Sequence, residues 1–525
     1  MPLWGNDSVP NGIRTRVSSA VVSARRRRNV LRVSKSAFLV PAAIGLLQMA
    51  AACSLFSSLS PSVDDTSTDD ASTGNSQMEA APPLGSTSND SDPAPGRTDA
   101  YAQPGTDAAS DVSRDSGGSA PPPMRGPAAA MPGVNYPFPQ NRQSKNCVYP
   151  TAYRNEDVQS AYAQWKNDLV TSSGAGGFRR VQRLASDPVL QVGSTVSEGI
   201  GYGMLIAVYM NDPQLFDDLW KYEQLHLGKC PGNTCPPMQL MDWYISADGS
   251  TAMGTGGATD ADEDMAFALV MADRQWGGKG SLSKTYLATA IDQITAVWVL
   301  EVYQGNLIRP GTWGDDNSVN ISYFAPSYYR LFKAVGGTLP MSGGGSWNPN
   351  WDATIDTAYN TINSSLTAAS GNQNNGLVPA WCTISGVPNP SALQNGNPTN
   401  YQYDSCRTPF RIALDWCWNG EPRAKAYVEK TSGFFSAIGA RNIVDGYALD
   451  GTPKAQNAGK LSAAFIGPAG VGAMNSSSYQ SFLDDAYSAV ATRTLLAGGA
   501  YYEESWTVMS LLMMSANFLD YTMLP

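Results

Sequence analysis

The chain has a single histidine, His226, in 525 residues, and that scarcity excludes several chemistries at once. A Ser-His-Asp triad could draw only on His226, and a zinc site built on several histidines is excluded. His226 itself lies between Leu225 and Leu227 and reads as a structural residue. A Gly-x-Ser-x-Gly nucleophile elbow and a P-loop are both missing. Basic charge is scarce beyond residue 52, where the remainder of the chain carries a net charge of about −17, so a nucleic-acid partner is excluded. Long alternating apolar and polar runs, the mark of half-buried strands, are also lacking. Acid-base work therefore falls to carboxylates, tyrosines and lysines.

What the chain does have begins with a basic N-terminal stretch, Arg25-Arg26-Arg27-Arg28 with Arg32 and Lys35, followed by an apolar run at residues 37–47. That run is too short to span a bilayer, and its order is that of a secretory signal. Ala50-Ala51-Ala52-Cys53 resembles a bacterial lipoprotein processing site, which would make Cys53 a lipidated first residue and attach the protein to a membrane. Cleavage near Ala51 with free secretion is the other reading. Residues 1–53 are thus expected to be an export signal. Residues 54–145 are Ser, Thr, Asp, Ala, Pro and Gly with few large apolar side chains, and read as a disordered tether reaching about 50 Å. No catalytic candidate falls in it, so it is expected to be dispensable for chemistry.

From Cys147 the composition changes, with twelve of the thirteen tryptophans beyond it, and residues 146–525 read as one domain. Helical spacing recurs at 158–169, 204–210, 265–276, 286–303, 323–332, 355–366, 409–418, 424–438, 479–495 and 505–519, separated by Gly, Pro and Asn clusters. The fold class is all-α. Period alone leaves the arrangement of the helices open.

Three constellations carry chemistry. Residues 258–268 place four acidic side chains, Asp260, Asp262, Glu263 and Asp264, where an apolar helix begins. Acidic groups at a helix N-terminus are favoured by capping and by the macrodipole, so an N-cap is the plain reading and a sugar-binding or catalytic cluster the other. Residues 196–204 set Glu198 among Gly199, Gly201 and Gly203, which leave bare backbone around one carboxylate. A dinucleotide loop would need its third glycine where Met204 stands. Residues 401–411 hold Tyr403, Asp404 and Arg407 ahead of a helix. Asp404 and Arg407 are spaced as a salt-bridged helix start, or as a base carboxylate held ionised to activate water.

Together SEGIGYGM at 197–204, ATDADEDMAFALVMADRQW at 258–276, SYFAPSYYR at 322–330 and YDSCRTPFR at 403–411 resemble glycoside hydrolase family 8, in order and across the whole domain. The resemblance implies an (α/α)6 barrel with a substrate groove at one end, acting as a monomer on β-1,4-linked polysaccharide with inversion, without a cofactor or a catalytic metal. Residue by residue it implies Glu198 as general acid and Asp404 as the base that activates water. Asp260 matches the carboxylate that binds the distorted sugar, Tyr403 and Arg407 surround the water and its base, and Tyr323 lines the same subsite. Trp243 and Trp313 are expected as sugar-stacking platforms by position. Asp262 and Asp264 are left as residues of the helix start.

Aspartate at position 404 implies an endoglucanase acting on cellulose or mixed-linkage glucan, with chitosan, favoured by the acidic charge, and xylan as alternatives. A glucan-binding envelope protein without catalysis and a polysaccharide lyase are the competing classes. With Cys53 lipidated, six cysteines remain, an even set suited to an oxidising compartment. Cys230 and Cys235 are expected to close a small loop around a turn-like Pro231-Gly232-Asn233-Thr234, and Cys382 to pair with Cys406 or Cys417.

Overall fold

Twelve α-helices among the described residues alternate between two kinds of surface. The even-numbered ones are the more deeply buried: α2 (Ser197–Tyr209), α4 (Thr259–Trp276), α6 (Pro326–Gly336), α8 (Thr408–Asn419), α10 (Ala463–Ala473) and α12 (Tyr501–Met514), with α6 alone among them leaving its last turn, from Lys333, open to solvent. In α2, α10 and α12 every position is buried. The odd-numbered ones each bury one stripe: α1 (Asn155–Leu169), α3 (Pro213–Leu225), α5 (Tyr286–Glu301), α7 (Trp351–Ser365), α9 (Pro422–Ile438) and α11 (Gln480–Thr492). In α1, for example, the buried residues are Val158, Ala161, Trp165 and Leu169. A helix apolar all round must be inside, and an amphipathic one must cover it.

The contacts follow that rule. Each even helix packs on the next, α2 on α4, α4 on α6, α6 on α8, α8 on α10, α10 on α12, and α12 returns to α2, closing a ring of six. The odd helices lie outside it: α3 against α2, α5 against α4 and α6, α7 against α6, α9 against α8 and α10, and α11 and α1 against α12. This is the (α/α)6 barrel that the sequence resemblance implied. Strands are confined to short pairs, the largest set being Thr195–Val196, Tyr244–Ile245 and Ala252–Gly254. No helix among the described residues is long and apolar enough to cross a membrane.

The computed structural model describes residues 134–184, 190–228, 239–303, 306–314, 318–336, 339–340, 346–392, 397–456, 459–492 and 500–525. All fall in the unit Gln48–Pro525; the unit Met1–Leu47, Cys53, most of the tether, and the Cys230 and Cys235 pair lie outside the described residues. The last residues assigned to the tether are already attached to the barrel. Tyr136 stacks on Tyr521 with ring centroids 4.6 Å apart, its backbone N–H donates to Gln275 Oε1 at 2.7 Å, and Arg142 N donates to Ala516 O at 2.9 Å.

Two helices had not been expected. α3 carries a legible start, with Asp212 accepting from Leu215 N and Pro213 at the first position. α10, AAFIGPAGVGA, has no apolar period because it has no polar face, and its Gly and Pro read as loop. Those glycines permit close packing: a Cβ at Gly467 would lie 2.2 Å from Ser510 Oγ on α12, and one at Gly470 would lie 2.9 Å from Ala486 Cβ on α11.

The cysteines correct one expectation. Cys147 pairs with Cys417, 270 residues away, and Cys382 and Cys406 are free and buried. Cys382 is held in an isolated bridge to Val319, while Cys406 Sγ donates to Tyr403 O, at opposite ends of different local frames. Spacing along the chain carries no information about such a long-range partner. Cys147→Ser should therefore lower unfolding free energy by about 2 to 4 kcal/mol in urea titration. Alkylation of the native protein should leave Cys382 and Cys406 unlabelled until it is denatured.

Candidate active site

The N-terminal ends of the inner helices converge. Glu198 is the second residue of α2, Asp260 the second of α4, Arg407 caps α8, Tyr501 opens α12, and Tyr323 sits in the short 3-10 turn Ile321–Tyr323 just ahead of α6. Such ends present unpaired N–H groups and the positive pole of the helix dipole, which favours carboxylates there. Each approach segment is fixed by backbone bonds. Ser197 N donates to Trp243 O at 2.9 Å, Thr259 N to Pro310 O at 3.3 Å, and Cys406 N to Gln402 O at 2.9 Å.

At the centre is a fully buried guanidinium. Arg407 Nη1 donates to Glu198 Oε1 and to Asp260 Oδ2, and to Tyr202 Oη at 3.1 Å, while its Nε donates to Ser322 Oγ at 3.1 Å. Its charge also lies over the Tyr323 ring, 5.0 Å from the centroid. The salt-bridged helix start that Asp404 and Arg407 suggested is thus not what forms, since the ion pairs of Arg407 run to α2 and α4. One turn further along α8, Arg411 pairs with Asp264 (Nη2 to Oδ2, 2.9 Å) and Glu263 (Nη1 to Oε1, 3.1 Å).

The acidic cluster is therefore no solvent-facing cap. All four carboxyls are buried, and no side chain caps α4 through its N-cap residue, Ala258. The helix turn distributes them: Asp260, Glu263 and Asp264 face α8, whereas Asp262 faces outward to Gln293 on α5. Asp264, left at the sequence level as a helix-start residue, is instead a cross-barrel ion-pair partner.

Glu198 is 2% exposed. Tyr202, one turn on, donates to Oε1 at 3.0 Å, and Tyr501 donates to Oε2. Burial pushes its pKa up to about 8, against the opposing pull of Arg407 and with reinforcement from Asp260. Five buried carboxyls, Glu198, Asp260, Glu263, Asp264 and Asp404, share two guanidiniums, so charge balance alone keeps part of them protonated.

Asp404 is held differently. Its Oδ2 accepts from Gln402 Nε2 at 2.8 Å and from Trp381 Nε1 at 3.2 Å. Burial raises its pKa, while Arg407, Gln402 and Trp381 favour the charged form. Trp381 links this carboxylate to the rest: its ring lies 6.4 Å from Tyr323 and 6.4 Å from Trp313. Tyr403 turns its hydroxyl to Asp445 Oδ2 at 2.9 Å. Trp243 is buried, stacked on Tyr244 at 5.3 Å, with Gly254 so close that a Cβ there would lie 2.3 Å from its Cε2. One face of that platform is thus occupied by the protein itself. His226 packs on Tyr222 at 4.5 Å.

The structure brings Glu198, Asp260, Arg407 and Tyr323 into one contact set, and joins Asp404 and Trp313 to it through Trp381. Trp381, Tyr501, Arg411 and Asp445 were not picked out at the sequence level. Arg411 and Tyr202 stood inside quoted motifs, and the apolar run 377–381 between loop signals could have flagged Trp381. Tyr501 is 303 residues from Glu198 and carried no local signal. Among the described residues no group of three or more His, Cys, Asp or Glu could hold a metal ion.

A closed helical barrel with a buried carboxyl and guanidinium centre at the ends of its inner helices, beside aromatic rings, is the architecture of a polysaccharide-cleaving hydrolase. The chain belongs to family 8 of the glycosyl hydrolases, whose family model, Glycosyl hydrolases family 8, matches residues 137–516. It is 36% identical to Endoglucanase A of Acetivibrio thermocellus over 368 residues, 69% of each protein. It is 34% identical to Endoglucanase C of Ruminiclostridium cellulolyticum over 392 residues, 73% of this chain and 77% of that one. The solved apo structure of a β-1,3-1,4-glucanase from Paenibacillus sp. X4 superposes with a TM-score of 0.64 at 30% identity, covering 73% of this chain and 99% of that one.

Arg407→Leu should cost about 3 to 5 kcal/mol of stability at neutral pH, because it strands two buried carboxyls. The wild type should depend on pH in its own right. Glu198, Glu223 and Glu301 are raised to about 8 by burial, above the ordinary value of about 4.3, so the folded state holds protons that the unfolded state releases. Their contribution should be complete below about pH 4.3 and be lost as pH rises from there through about 8; thermal melts across that range check it, and a flat profile would refute it.

Proposed function

We propose that this family 8 hydrolase is an endo-acting β-1,4-glucanase, cleaving cellulose or mixed-linkage glucan with inversion. The single observation that carries the reading is Glu198: a buried carboxyl held by Arg407, Tyr202 and Tyr501, yet pushed up to about 8, is a group that keeps its proton at neutral pH and can give it to a glycosidic oxygen. Asp404, fixed by Trp381 and Gln402, takes a proton from water on the other side of the sugar ring. The carbon–oxygen bond to the leaving sugar breaks as the bond from water forms, and the two carboxyls end with their protonation exchanged. Asp260 binds the sugar at the cleavage point, and Arg407 holds Asp260 and Glu198 in register. Tyr323 and Trp381 line the same place, and Trp313 offers the next aromatic face. The named glucanases among the relatives support glucan as the substrate; a buried Trp243 with one face covered counts against its use as an open platform.

We also propose that the protein is exported and anchored through a lipid on Cys53. The mass of the mature N-terminal peptide decides this: a diacylated Cys53 supports it, and an unmodified peptide beginning near Ser54 or Ala52 overturns it.

Glu198→Gln and Asp404→Asn should each cut turnover on soluble glucan by roughly 10² to 10⁴ while leaving the circular dichroism spectrum unchanged. Proton magnetic resonance of early product should show the α-anomer. An initial β-anomer would mean a covalent intermediate and would remove Asp404 from the role of base. A substrate panel of glucan, lichenan, xylan and chitosan tests the polymer, and faster release from xylan or chitosan would overturn the choice of glucan.

A further inference from the structure

Two residues on from Asp260 lies a second group of carboxyls, which the catalytic reading leaves unused. Glu223 stands in the last turn of α3, Asp262 in the first turn of α4 and Glu301 at the end of α5, and none of the three has any exposed surface. Gln293 Nε2 donates to Asp262 Oδ1 at a long 3.4 Å, and Gln224 Nε2 to Glu223 Oε2 at 2.6 Å. Among the described residues no N–H or O–H donates to Asp262 Oδ2, to either oxygen of Glu301 or to Glu223 Oε1. Buried carboxylates left so would be heavily penalised. The three are not disposed to hold a metal ion either.

The surrounding charges do not relieve them. Those that bear most on Asp262 are Glu301, Glu223 and Asp260, all of one sign. The cations of the neighbouring elements are engaged elsewhere: Arg407 by Glu198 and Asp260, Arg411 by Glu263 and Asp264, and Arg330 of α6 by Asp415 and Glu421. Arg309 lies over the Tyr303 ring, 4.0 Å from the centroid, and Asp242 accepts from Gly256 N at 2.7 Å. His226, past the end of α3, has its pKa lowered by burial and by Arg180. What remains is hydrogen bonding within the group. Glu301 is in hydrogen-bonding reach of Asp262 and of Thr259. The hydroxyl hydrogen of Thr259 is already given to Arg309 O at 2.7 Å, so Thr259 offers Glu301 only a lone pair. Two carboxyls can be joined only by a proton that one of them carries. Burial pushes both Glu301 and Glu223 up to about 8, in agreement. Backbone bonds tie the same junction: Arg309 N donates to Glu301 O at 2.8 Å, and Thr259 N to Pro310 O at 3.3 Å.

We propose that Glu301 and Asp262 share a proton that latches the first turn of α4 to the end of α5, so that Glu301 is a positioning residue for Asp260 and lets go of it in alkali. That Asp260 binds sugar rests on the function proposed above, whereas the shared proton does not. When hydroxide takes the proton, two anions are left in contact in a dry space and repel each other. The turn that carries Asp260 then loses its side-chain tie to α5.

Glu301→Gln is the informative change, because its amide brings one hydrogen for Asp262 and one for the Thr259 lone pair, and neither titrates. The protons released on unfolding at about pH 6, read from the pH dependence of stability in urea, should fall by at least about one. Wild-type KM on soluble glucan should rise roughly threefold to tenfold as pH passes through about 8, the scale of one lost hydrogen bond, and should stay flat in Glu301→Gln. The alkaline fall of kcat, which Glu198 sets, should be common to both. In a Glu198→Gln background, the infrared band of protonated carboxyl at neutral pH should weaken when Glu301→Gln is added. Unchanged proton release, a flat wild-type KM, or a band that Glu301→Gln leaves intact would overturn the proposal. Should Glu301→Gln fail to fold, Asp262→Asn puts the amide on the other partner and faces the same three measurements. Failure of the underlying reading would be visible separately, as full turnover in Glu198→Gln at neutral pH.

Discussion

A guanidinium removed from water and placed between carboxyls of different helices is the constraint on which the rest of this molecule depends. Arg407 joins α8 to α2 and α4 through Glu198 and Asp260, so three inner helices of the ring are held in register by one side chain. Such a charge is tolerable only if its partners are fixed, and they are: Tyr202 and Tyr501 hold Glu198, and Ser322 holds Arg407. The same arrangement that stabilises the cation leaves more carboxyls than cations in a dry space. Burial in that space, reinforced by Asp260, keeps a proton on Glu198, so the packing of the barrel and the acidity of its centre have one source.

The ring makes that imbalance possible. Four inner helices, α2, α4, α8 and α12, bring their N-terminal ends to one place beside the turn ahead of α6, and each contributes a partial positive pole without a side chain. The six outer helices shield them from water. α10 shows what the inner layer demands, since its glycines at 467 and 470 admit Ser510 and Ala486 at distances no Cβ would allow. The cost in helix propensity is met by contact.

Much of this was legible in the residues. Ten helices followed from apolar spacing, and the motifs around Glu198, Asp260, Tyr323 and Asp404 implied the barrel and mark the place where its buried charges are concentrated. What stayed illegible has a common cause. The acidic run at 260–264 looks like a cap because local sequence cannot show that Arg407 and Arg411 arrive from another helix about 150 residues on. Cys147 and Cys417, or Glu198 and Tyr501, meet only after the ring has closed. α10 hid for the opposite reason, since a helix with no polar face has no period to read.

The way the chain enters the barrel sets where mechanical load would go. Tyr136 rests on Tyr521 and donates to the carbonyl of Pro525, Asn141 is tied to Asn517, and Cys147 is shackled covalently to Cys417. A pull transmitted from upstream of Val134 meets the C-terminal segment first and then a covalent bond to the far end of α8, before it reaches α1.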